Sequence, residues 1–122
     1  INLDSVINTT KRKMEAGANF FLTQPVFSKE EAKRLRKIKE ETGACIFAGI
    51  MPLISRRNAL FMKNEIAGIN VTDEIVERSK EEGEKVAVEL AKEIISYIDD
   101  FADGYYFSFP FNRVYLLNRI LG

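Results

Sequence analysis

Three short apolar runs alternate with stretches of helical periodicity: "NFFLTQ" at 19–24, "CIFAGIM" at 45–51 and "DGYYFSF" at 103–109. No other feature constrains the fold as much. Strands that alternate with helices pair in parallel, with the helices as crossovers. The middle run is apolar at nearly every position, so it has no wet face and reads as a strand buried on both sides. The expected order is one leading helix, then strand and helix three times. Three buried parallel strands leave two long apolar edges, which a self-sufficient domain avoids. The pattern predicts part of a larger sheet or barrel, or a domain completed by another chain.

The helices carry their own punctuation. Leu3, Val6, Ile7, Thr10 and Met14 recur at helical spacing, with Asp4 as the expected cap and Gly17 as the left-handed residue past the end. Ser28 and Glu31 make a capping box before the second helix, and Gly43 ends it. Pro52 stops the second strand. A short helix is predicted from Ser55 or Arg56 to Asn64, followed by a loop, "NEIAGI". A long helical stretch should run from Thr72 to about Ile98, broken or bent at Gly83. Its buried stripe is Val86, Ala87, Leu90, Ala91, Ile94, Ile95 and Ile98. A closing helix is expected from Asn112 to Leu121, with Arg113 at its start.

Composition narrows the function. Eighteen basic residues balance eighteen acidic ones, so net charge draws the chain to neither nucleic acid nor an anionic membrane. The absence of histidine removes the commonest general base and metal ligand, and no metal site is expected. The single cysteine, Cys45, reads as a buried strand residue and allows no internal disulfide. With no signal peptide and no apolar run near the ~20 residues of a membrane span, the reading is cytoplasmic. The chain starts at Ile1 without an initiator methionine and reads as a piece of something longer.

In α/β proteins ligands bind at the carboxyl ends of strands. Here those ends are "TQP", "GIMP" and "SFPFNR". Gln24 offers a donor and an acceptor there, and Arg113 a bidentate partner for an anion. On position alone the plainer readings lead. Gln24 is first a solvated amide, Arg113 first surface charge, Lys11, Arg12 and Lys13 first a solvated helix end, and the aromatics of "YYFSFPF" first core. No dinucleotide-binding, P-loop, C-x-x-C, G-x-S-x-G or H-E-x-x-H motif is present.

Three segments, "KRKMEAGANFFLTQPVF", "AGIMPLISRRNALFMKNEIAGI" and the closing "FNR", resemble methylenetetrahydrofolate reductases. The bacterial form is most similar, including the one fused behind a homocysteine S-methyltransferase domain. The resemblance runs over nearly the whole chain. It implies that residues 1–122 form the C-terminal portion of a (βα)8 TIM barrel, helix five through helix eight with three parallel strands and covering helices. It further implies reduction of 5,10-methylenetetrahydrofolate to 5-methyltetrahydrofolate, a step of one-carbon metabolism and methionine biosynthesis. The cofactor would be FAD, reduced by a nicotinamide nucleotide or another electron donor.

Residue by residue, Gln24 matches the family's glutamine that touches the folate pterin. Arg12 and Lys13 match basic residues that contact FAD. Arg113 matches an arginine near folate. Asn58 stands where some members have a folate-contacting glutamine, and Met62 where some stack an aromatic ring on folate. Val6 and Thr9 replace polar flavin contacts, and Asp4 aligns with one only after a shift. The family's proton-donating acid and its flavin-side aspartate lie in earlier parts of the barrel and have no counterpart here. No catalytic residue is therefore expected in this chain, which by itself should be inactive. The expected partners are folate and either the missing part of the barrel or a second copy. The alternatives are a self-associating structural piece without catalysis, or part of another folate-binding barrel methyltransferase.

Overall fold

A computed structural model describes residues 2–79, 83–109 and 113–122. Along the chain lie α1 (Leu3–Glu15), β1 (Phe21–Pro25), α2 (Lys29–Thr42), β2 (Ile46–Ile50), α3 (Arg56–Glu65), α4 (Asp73–Arg78), α5 (Glu84–Ile98), β3 (Gly104–Phe107) and α6 (Leu116–Leu121). The strands form one sheet in the order β1-β2-β3, parallel throughout. This is the expected α/β architecture, three parallel strands with covering helices, consistent with a portion of a TIM barrel.

Local chemistry explains most boundaries and corrects a few. Asn2, not Asp4, caps α1: its Oδ1 accepts from Asp4 N–H at 2.8 Å. Asp4 instead sits in the first turn, where a carboxylate suits the helix dipole. Ser28 caps α2 as expected, and Glu31 Oε1 accepts from Phe27 N–H at 3.0 Å, one residue before the usual capping-box partner. Gly43 ends α2 at φ +68°, a conformation that favours glycine. The long stretch after Thr72 divides: α4 ends before Ser79 and α5 begins after Gly83. The closing helix starts at Leu116, so Arg113 precedes it, and the expected start at Asn112 lies outside the described residues. Cys45 sits just before β2 and is half-buried, because the strand begins only at Ile46.

The register places Ile46, Ala48 and Ile50 on one face of the sheet with Tyr105 and Phe107. Helices cover this face. Ala48 and Ile50 pack with Ala32, Val88, Ala91, Ile94, Ile98, Leu116 and Ile120 in the main core. A second cluster joins α3, α4 and α5 beyond the carboxyl end of β2, through Leu53, Ala59, Val71, Ile75, Val76 and Leu90. The opposite face carries Leu22, Phe47, Gly49, Gly104 and Tyr106. There each aromatic lies over a glycine of the neighbouring strand. The Phe47 ring is 3.5 Å from where a Cβ on Gly104 would stand, and the Tyr106 hydroxyl 2.7 Å from a Cβ on Gly49. Phe20 and Leu22 remain more than half exposed.

Candidate functional site at the carboxyl end of the first strand

Thr23, Gln24 and Pro25 end β1, and the ladder is irregular there. Phe21 and Leu22 pair with Ile46 and Phe47, but the next pair is Pro25 with Gly49. Three steps along β1 match two along β2, so one residue is extra, a β-bulge. Proline has no N–H to continue the ladder. Side-chain hydroxyls add hydrogen bonds at the irregularity. Gly49 N–H donates to Thr23 Oγ1 at 3.0 Å. Thr23 Oγ1–H donates to the Gln24 carbonyl at 2.7 Å. The Tyr106 hydroxyl, reaching across β2 over Gly49, donates to the Thr23 carbonyl. Pairing resumes at Val26, whose N–H meets the Gly49 carbonyl at 3.0 Å.

The Gln24 side chain is exposed and lies beside the turn at Gly68, whose φ of +84° favours glycine. Gln24 lines a groove of about 540 Å3 with Glu31, Arg34, Gly68, Asn70 and Val6. That volume suits a small heterocyclic ligand. Glu31 is its least solvated acid. Burial pushes its carboxyl above the ordinary 4.5, against the pull of Phe27 N–H, Asn70 and Ser28. Two smaller hollows adjoin it along β1 and share Val6 with it, one also lined by Thr10 and Phe21 and the other by Thr10, Phe21 and Lys13. Gln24 and Lys13 therefore line neighbouring hollows that share Val6.

The Lys13 ammonium is exposed and has no hydrogen-bond or ion-pair partner among the described residues. Arg12 is also exposed and turns toward Thr9 Oγ1 at 3.4 Å. Asn58 and Arg113 lie off these hollows. Asn58 Oδ1 accepts from Ile54 N–H at 3.4 Å, so this amide serves the turn into α3. Met62 packs against the second core cluster. The Arg113 guanidinium pairs with Glu84 Oε2 at 2.5 Å, and Tyr115 and Arg119 meet the same carboxylate. The Tyr115 hydroxyl, then Arg113, hold Glu84 below its ordinary 4.5.

Thr23, Glu31, Asn70 and Tyr106 stand beside Gln24, but sequence patterning did not single them out as site residues. One signal pointed to Tyr106. A glycine inside an apolar strand, here Gly49, marks a close approach by something bulky. Asn70 and Glu31 meet only through tertiary packing, which no local spacing encodes.

Residues 2–107 match the family model described as methylenetetrahydrofolate reductase. No individually curated protein matches the chain. Among the described residues, no helix is long and apolar enough to cross a membrane, and no cluster of acidic or cysteine side chains is placed to hold a metal ion.

Proposed function

The chain belongs to the methylenetetrahydrofolate reductase family, and on that premise we propose that it contributes substrate and cofactor contacts to a flavin-dependent reductase of 5,10-methylenetetrahydrofolate. The observation that carries this reading is Gln24, an exposed neutral amide on a bulge at a strand's carboxyl end, facing a groove of ligand size. An amide presents a donor and an acceptor to a flat heterocycle without placing charge beside it. Gln24 thus binds and orients the folate pterin.

The residues present fit FAD in part. Lys13, unpaired among the described residues, lines a neighbouring hollow and suits a phosphate, with Arg12 one residue before it. Val6 and Thr9, also on the wall of that hollow, offer no charge. When bound, the flavin supplies the hydride chemistry. This chain's own residues position. Arg113 contributes to folate only by leaving Glu84, and Asn58 only by leaving its turn. The open edge of β1, with exposed Phe20 and Leu22, favours completion by further barrel strands over a free-standing sheet, with a second copy as the other occupant. The electron donor is a nicotinamide nucleotide or another reductant. The setting would be cytoplasmic one-carbon metabolism, in a stand-alone or fused protein.

The test is spectroscopic. The intact protein that carries this segment should show an oxidised-flavin spectrum that bleaches with a reductant and returns on adding methylenetetrahydrofolate. The 122-residue chain alone should do neither. An intact protein without flavin would sink the reading.

A further inference from the structure

We infer that Tyr106 and Thr23 are positioning residues, which fix the direction of Gln24 by pinning the two peptide groups on either side of it. This rests on the proposed role of Gln24 for its kinetic consequence, but not for its geometry. A side chain leaves the backbone along the Cα–Cβ bond, so the peptides before and after Gln24 set where its amide goes. In a regular strand both are held by the ladder. At this bulge side-chain hydroxyls reach both carbonyls. The Thr23 carbonyl accepts from the Tyr106 hydroxyl. The Gln24 carbonyl accepts from Thr23 Oγ1 at 2.7 Å. The Gly49 N–H donates to the same Thr23 hydroxyl at 3.0 Å.

Three features of the sequence serve this arrangement together. Threonine supplies a hydroxyl that accepts on one side and donates on the other. Glycine at 49 leaves room for the tyrosine, since a Cβ there would stand 2.7 Å from its oxygen and 2.8 Å from Cζ. Proline at 25 removes the N–H that would draw the strand back into register. Burial also pushes the Tyr106 hydroxyl above its ordinary 10.0, so it stays a donor at neutral pH. Tyr106 touches Gln24 only through this backbone, which makes it a support rather than a ligand.

The experiment is a set of crystal structures and kinetics on the intact protein. Tyr106→Phe removes one oxygen and no packing volume. Thr23→Val removes the relay hydroxyl, and Thr23→Ser keeps it. In Tyr106→Phe and Thr23→Val the Gln24 side chain should leave its place beside Gly68. The kcat/KM for methylenetetrahydrofolate should fall about tenfold, the scale of one misplaced hydrogen-bonding group. Flavin content should hold, and the melting temperature should fall only by the few degrees that one lost hydrogen bond costs. Thr23→Ser should restore both position and rate, and Tyr106→Phe should cost nothing further once Gln24→Ala is in place. A Tyr106→Phe structure with Gln24 unmoved overturns the inference, as does an equal cost in the Gln24→Ala background. If Gln24 moves and folate kinetics stay unchanged, the positioning stands and the folate reading of Gln24 falls.

Discussion

At the amino end of the sheet, charge does the joining. Asp103 Oδ2 accepts from Lys39 Nζ at 2.6 Å and from Ile46 N–H at 2.8 Å. Lys39 also donates to the Ala44 carbonyl at 2.8 Å, and Arg36 pairs with Asp100 at 2.7 Å. At the carboxyl end, neutral hydroxyls do it. Thr23 and Tyr106 close a bulge, a proline interrupts the ladder, and an uncharged amide is left exposed. The first end ties α2 to the start of β2 and β3. The second carries a bulge and leaves the Gln24 side chain exposed. In parallel α/β folds the amino ends serve stability and the carboxyl ends serve ligands, and here the chemistry of the joints divides the same way.

The contrast breaks most severely at Gly49. Gly49→Ala forces a methyl into the Tyr106 ring, and overpacking of this kind costs about 1–3 kcal/mol. Denaturant unfolding should show that loss, and folate kinetics should worsen with it, because the same ring supports the bulge. Asp103→Ala comes next. It strands the N–H of buried Ile46, at about 1–2 kcal/mol. Stability should fall and folate kinetics should not. Activity lost in step with stability there would erase the distinction between the two ends.

Acid sharpens the same contrast. The Lys39 ammonium, then Ile46 N–H, hold the Asp103 carboxyl below its ordinary 3.8. A depressed carboxylate stabilises the fold above its unfolded value and loses that contribution as pH falls through its folded value. Wild type should therefore lose stability below about pH 4, and Asp103→Asn should flatten that part of the profile. Unfolding midpoints across the acid range decide this. The smallest effect belongs to Glu84. Glu84→Gln frees Arg113 from a half-buried pair, so the folate KM should fall no more than about threefold. An unchanged KM would leave Arg113 with a purely local role.

Much of this was legible in the sequence because it is local. Apolar runs, capping residues and glycines at helix ends placed the elements, and alternation made the strands parallel. Gln24 was visible because an amide inside an apolar run is conspicuous. The misses share a cause. Asn2 displaced Asp4 as cap because two neighbouring residues both suit the position, and only geometry chooses between them. Arg113 looked like a helix-start cation, but α6 begins three residues later and Glu84, far off in sequence, takes the guanidinium. The bulge depends on Thr23, Gly49 and Tyr106 meeting from three strands, and patterning within one strand says nothing of its neighbours.

Replacement of Gln24 tests the division of labour most directly. In the intact protein, Gln24→Ala should keep its flavin content and melting temperature and lose about ten- to a hundredfold in kcat/KM for methylenetetrahydrofolate, the range for losing a substrate-orienting amide. Unchanged folate kinetics would contradict the claim that the carboxyl end of β1 was shaped for the substrate.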